Sequence, residues 1–180
     1  MNAFLQAINP VEPIRTEDEA EAAARAGALG AFLMAAYGVV VAMIVVLTAE
    51  TYAANLRAFA PVLYGRGSEA ARLTAATISP AWIYGLAVWG VICALSAAAL
   101  GAVQWRKLTW LIPMILGLFT VYSLVMFGLS KVNGSPLAGL MPVPLWREIL
   151  WLVVNLVQAL LLWTGFRGGR RLNALRRQAA

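Results

Sequence analysis

Four stretches of the chain are apolar for long enough to cross a bilayer, with polar residues mostly confined to their ends. They cover residues 28–49, 80–103, 108–129 and 145–166, each near the roughly 20 residues that a spanning α-helix needs. Ahead of the first, "TEDEAEAAARAG" begins a helix: Thr16 with Glu19 forms a capping box, and acids fill the first turn. Glu21 and Arg25 form a favourable i,i+4 pair. No stop signal separates this start from the apolar run. The pattern therefore predicts one helix from about residue 17 to 59, ended by Pro61.

Ser79-Pro80 opens the second span as an N-cap followed by proline at the first helical position. Trp82, Tyr84, Trp105, Trp110, Trp146 and Trp163 stand near the span ends, where amphipathic rings favour the interface. The short "QWRKLT" link makes spans two and three antiparallel neighbours. Two longer loops complete the chain. Residues 50–79 contain a short surface helix capped by Ser68. Residues 130–144 are too rich in Gly and Pro for regular structure, and their "NGS" at 133–135 is a legal but weak glycosylation signal.

The expected fold is thus all-α, a four-helix transmembrane bundle with a long N-terminal helix. Residues 1–16 form an irregular terminus, 17–167 a single membrane domain and 168–180 a basic tail. Residues 1–15 lack the pattern of a secretory signal peptide. Composition agrees: the chain of 180 residues is 62% hydrophobic and 12% charged, against about 25% charged in soluble domains.

Charge sets an expected orientation. The N-terminus, the 103–108 link and the C-terminus would share one side and hold nine basic residues, against five in the two loops. An excess of basic residues marks the cytoplasmic side, so both termini are expected there, in a bacterial inner membrane. Arg167, Arg170, Arg171, Arg176 and Arg177 form a basic tail suited to anionic lipid headgroups, which is a simpler partner than nucleic acid. The acidic residues 17–21 are an alternative partner on the same side.

Chemistry is sparse. There is no histidine and one cysteine, Cys93, which excludes an intrachain disulfide, a Cys/His metal site, histidine-ligated haem and a histidine base. No phosphate loop, nucleophile elbow or zinc-protease helix occurs, so no cofactor is expected.

The one internal irregularity is the fourth span, where Asn155 and Gln158 lie three apart on a stripe that runs back through Trp151 to Glu148. Insertion survives them. Eleven Ile, Leu, Val and Phe residues between 149 and 166 contribute about −3 to −7 kcal/mol in total. The favoured role of the amides is hydrogen bonding to another helix, through Tyr37, Ser96, Thr120, Tyr122 or Ser123. The alternative is a polar path or ligand site.

Glu50 and Arg147 are expected to pair where the first and last helices meet, beside Glu148. Small-xxx-small spacings at Gly27/Ala31/Ala35, Ala94/Ala98 and Ala97/Gly101 suit close helix packing. The functional expectation is a non-catalytic accessory, assembly or scaffold subunit of a larger membrane complex, with other membrane subunits or its own copies as partners. The alternative is a small homo-oligomeric transporter or channel along the Glu148–Asn155–Gln158 stripe with Glu50. A lipid-modifying enzyme would have only Glu50, Lys131, Arg147 and Glu148 to work with.

Overall fold

A computed structural model describes residues 9, 13–133 and 144–179. The expected irregular structure of the first residues and of the Gly/Pro-rich loop, with most of its "NGS" signal, lies outside them. Among the described residues the chain forms six helices and no strand. These are α1 (Glu17–Leu47), α2 (Ala49–Tyr64), α3 (Glu69–Thr77), α4 (Pro80–Lys107), α5 (Leu111–Val132) and α6 (Leu145–Ala179). Helices α1, α4, α5 and α6 are each long and apolar enough to cross a membrane, which makes this a multi-pass membrane protein with an all-α fold.

Residue size is sorted in the opposite sense to a soluble core. Alanines fill the interior: Ala20, Ala23, Ala24, Ala26, Ala28 and Ala31 are fully buried. Large apolar side chains such as Trp89, Leu95, Leu118 and Val153 point outward. Lipid solvates large apolar groups as well as a protein core does, so helices gain most where small residues let backbones approach.

The alanine-rich α1 runs through the centre, between α4 and α6, while α5 packs mainly on α6. Three buried clusters stack along it: Ala20, Ala24, Leu108 and Leu172 at the side carrying both termini; Ala31, Leu116 and Leu162 in the middle; Ala49, Ala53 and Ile83 at the far side.

The predicted local signals form. Thr16 Oγ1 accepts from the Glu19 N–H and the Glu19 carboxylate accepts from the Thr16 N–H, closing the capping box. Ser68 caps α3 through the Ala71 N–H at 3.1 Å, and Ser79 caps α4 with Pro80 at its start.

Three expectations need correction. The first helix is not continuous to residue 59. It breaks at Thr48, whose N–H and hydroxyl both turn to the Ile44 carbonyl (3.0 and 2.7 Å), a back-bond that bends helices. Pro61 does not end the following segment either. It sits inside α2, which runs on to Tyr64 before Gly65 at φ 89° stops it. The contacts of α2 lie before the proline: Phe59 and Ala60 are buried and Arg57 Nε donates to the Ile78 carbonyl at 2.8 Å, while Val62, Leu63 and Tyr64 beyond it are exposed.

The basic segment is helical: α6 continues without a break to Ala179. At a rise of 1.5 Å per residue its 35 residues span about 52 Å, far more than a hydrocarbon core of about 30 Å. The extension rests on α1. A Cβ at Gly165 would collide with the backbone of Gly27, one at Gly168 with the backbone of Ala24, and one at Gly169 would lie 2.8 Å from the Trp110 nitrogen.

Finally, the tight link makes α4 and α5 antiparallel but not packing neighbours, since they touch little. Leu108 closes α4 in a left-handed conformation (φ 50°) with its side chain buried among Ala20, Ala24 and Leu172. The two helices then go to different faces: α4 onto α1 and α5 onto α6.

Candidate functional site

Because α4 and α5 lie on different neighbours, a cleft of about 550 Å³ remains, walled by both helices and floored by α1 and α6. Its polar groups come from the α6 stripe and the facing helices: Asn155, Gln158, Thr120, Ser123, Tyr37 and Tyr52. The rest of the wall is apolar or aromatic, with the exposed Cys93 on the α4 side. A mostly apolar hollow with a few convergent polar groups is the usual form of a small-molecule site. A comparable groove between α1 and α4, lined by Val39, Met43, Leu47, Tyr84, Val88 and Ile92, lacks such a cluster.

The amide residues are well buried, at 8% exposure for Asn155 and 3% for Gln158. Counting along α6 from Leu145, they lie about 15 and 20 Å into the helix. Gln158 Nε2 donates to Thr120 Oγ1 at 2.6 Å, and the Thr120 hydroxyl donates to the Leu116 carbonyl at 2.9 Å. Of the partners proposed for the pair, Thr120 is therefore the one that ties α6 to α5. Asn155 Nδ2 turns back to its own helix, donating to the Trp151 carbonyl at 2.8 Å. Among the described residues Tyr37 and Ser123 share the cleft without such a bond, Ser96 donates to Ile92 of its own helix, and Tyr122 is exposed.

A second chamber of about 360 Å³ adjoins the first toward the far side, the two sharing Tyr37, Val41, Val45, Tyr52 and Trp151. Arg147 and Glu148 line it. Glu148 does not stand beside an Arg147–Glu50 pair: its carboxylate meets Lys131 Nζ at 2.6 Å, linking α6 to α5. Arg147 instead lies over the Trp146 ring at 5.8 Å, and Glu50 is exposed with no ion pair among the described residues. The break at Thr48 is the physical reason, because it sets Glu50 in the first turn of a separate helix.

Toward the terminal side the hollow closes. Below Gln158 the fully buried Leu162 packs against Ala31 and Leu116. One turn further, Gly165, Gly27 and Pro113 meet with no room for a Cβ. The polar stripe therefore ends at a packed floor below Gln158, not in a pore through the bundle.

The arginine segment is engaged with the N-terminal region. Arg176 reaches Glu17 (3.3 Å) and Glu21 (3.1 Å), so the acidic cluster is its partner. Arg171 Nε donates to the Ile14 carbonyl at 3.2 Å, Arg167 to that of Asn9 at 3.4 Å, and Arg170 lies over Phe166. Arg177 is exposed.

Sequence reasoning missed two determinants. Gln104 is fully buried and donates to the Ala24 carbonyl at 3.0 Å, joining α4 to α1; its place beside the link disguised it as a turn residue. The Gly165–Gly169 spacing was visible in the sequence but fell at the edge of the assigned tail. No known protein family, curated protein or solved structure matches the chain.

Proposed function

We propose that this chain is a non-catalytic membrane protein that holds a small amphipathic molecule in the cleft between α4 and α5. One observation carries the reading: a buried amide pair lines a hollow of about 550 Å³ that is closed below Gln158. Helix glue alone would use both amides across an interface, whereas Asn155 bonds only its own helix. The closed end favours capture or presentation of a ligand over passage of an ion. Nine of the fourteen basic residues belong to the terminal side, which suits a bacterial inner membrane with both termini cytoplasmic.

A second reading, an accessory subunit of a larger membrane complex, draws on a different surface. The α2–α3 unit at the far side exposes Val62, Leu63, Tyr64 and Leu73, an apolar group on which another subunit could dock. Mass measurement on the assembly purified in mild detergent separates the two. A small-molecule mass carried by the wild-type chain and lost from Asn155→Leu/Gln158→Leu supports the ligand reading. Reproducible recovery with unrelated subunits, and no small molecule, overturns it in favour of the accessory role.

A further inference from the structure

The way the two amides are held defines the chemistry of what they can bind. The Thr120 hydroxyl spends its hydrogen on the Leu116 carbonyl, so toward Gln158 it can only accept. Gln158 must therefore present its NH2 to Thr120. The Trp151 carbonyl is likewise an acceptor only, so Asn155 must present its NH2 there. Both amide orientations are dictated by fixed acceptors. Each residue is left with a carbonyl oxygen that has no partner among the described residues, on the wall of the cleft. The two oxygens lie one helical turn apart and, unlike the sealed Gln104 Oε1 and Thr164 Oγ1, are accessible to a donor entering the hollow.

Resting on the cleft reading above, we infer that the ligand is an uncharged amphipath whose buried end donates hydrogen bonds, a hydroxyl-bearing molecule above all, with an apolar body against Tyr37, Phe119 and Trp151. An anionic end would face two carbonyl oxygens. A cationic end would need a carboxylate, and Glu148, on the wall of the outer chamber, already holds Lys131 at 2.6 Å. The ionic groups of the hollow, Arg147 and Glu148, belong to that outer chamber, and the inner one is neutral. A neutral donor satisfies the inner oxygens without the cost of burying a charge.

Cys93 supplies the readout, since it is the single cysteine of the chain and lines the cleft. The full chain in phosphatidylcholine vesicles is alkylated with a membrane-permeant maleimide, in the presence of decanol or of decyl methyl ether at equal mole fraction in the bilayer. Decanol should slow alkylation at about tenfold lower mole fraction than the ether, the ratio expected of one well-made hydrogen bond. Asn155→Leu, which breaks no helix–helix bond, should bring the two probes together by weakening decanol and leaving the ether unchanged. Equal protection by both in the wild type overturns the donor inference while leaving the cleft as a ligand site. Protection by neither overturns the cleft reading itself.

Discussion

The crossing of α6 over α1 depends on backbone approach that only glycine allows, and Gly168→Ala tests it. The new Cβ would lie 2.6 Å from the Ala23 Cβ and closer still to the Ala24 backbone nitrogen. A backbone cannot rotate aside, so the helices must separate. A gap of about 0.5–1 Å forfeits a quarter to a half of each van der Waals contact along the seam, and overpacking of this kind costs about 1–3 kcal/mol.

Alanine also stabilises a helix relative to glycine, which would mask part of the loss. Gly128→Ala provides the reference: it too lies within a helix, α5, but its Cβ would meet nothing within 4 Å. The difference between the two variants removes the propensity contribution. It should reach about 1–3 kcal/mol, or roughly fivefold to 150-fold in the unfolding equilibrium. Reversible unfolding in mixed micelles of mild detergent and dodecyl sulfate, followed by far-UV circular dichroism, measures it. Equal stability of Gly168→Ala and Gly128→Ala would refute the close crossing and the continuous α6 with it.

Other expectations concern polar contacts. Gln104→Leu gives up one bond to the Ala24 carbonyl but also removes a buried carbonyl oxygen that has no partner. It should change stability by less than about 1 kcal/mol, whereas Gln104→Ala should cost about 2 kcal/mol or more by opening a cavity; the same unfolding assay compares them. A double-mutant cycle on Lys131 and Glu148 should give a coupling of about 0.2–1 kcal/mol, and one on Glu50 and Arg147 none. Arg176→Ala removes two half-exposed ion pairs and should cost at most about 1 kcal/mol, an effect that fades as salt is raised. A loss unaffected by salt would mean that packing, not charge, holds the end of α6.

Much of this protein was legible before any fold was considered. Span number and length follow from apolar runs, because lipid tolerates little else across about 30 Å. The caps at Thr16, Ser68 and Ser79 follow from side chains that satisfy free helix-end donors nearby in sequence. The amide pair also stood out, since polar groups in such a run are rare. What bonds they would make did not, because Thr120 is 38 residues from Gln158 and nothing local selects it over Ser123 or Tyr37.

The break at Thr48 and the persistence of α2 past Pro61 escaped for a related reason. Both run against the local pattern: the break at Thr48 comes from a side-chain back-bond to Ile44, and α2 continues through a proline whose following residues are exposed. The cleft is not legible locally either. Its residues come from five helices, and it exists because the link at Leu108 sends α4 and α5 to different neighbours. Hydrophobicity along a chain records which residues lie in lipid. Only the packing of glycine and alanine faces decides which helices touch, and therefore where a space is left between them.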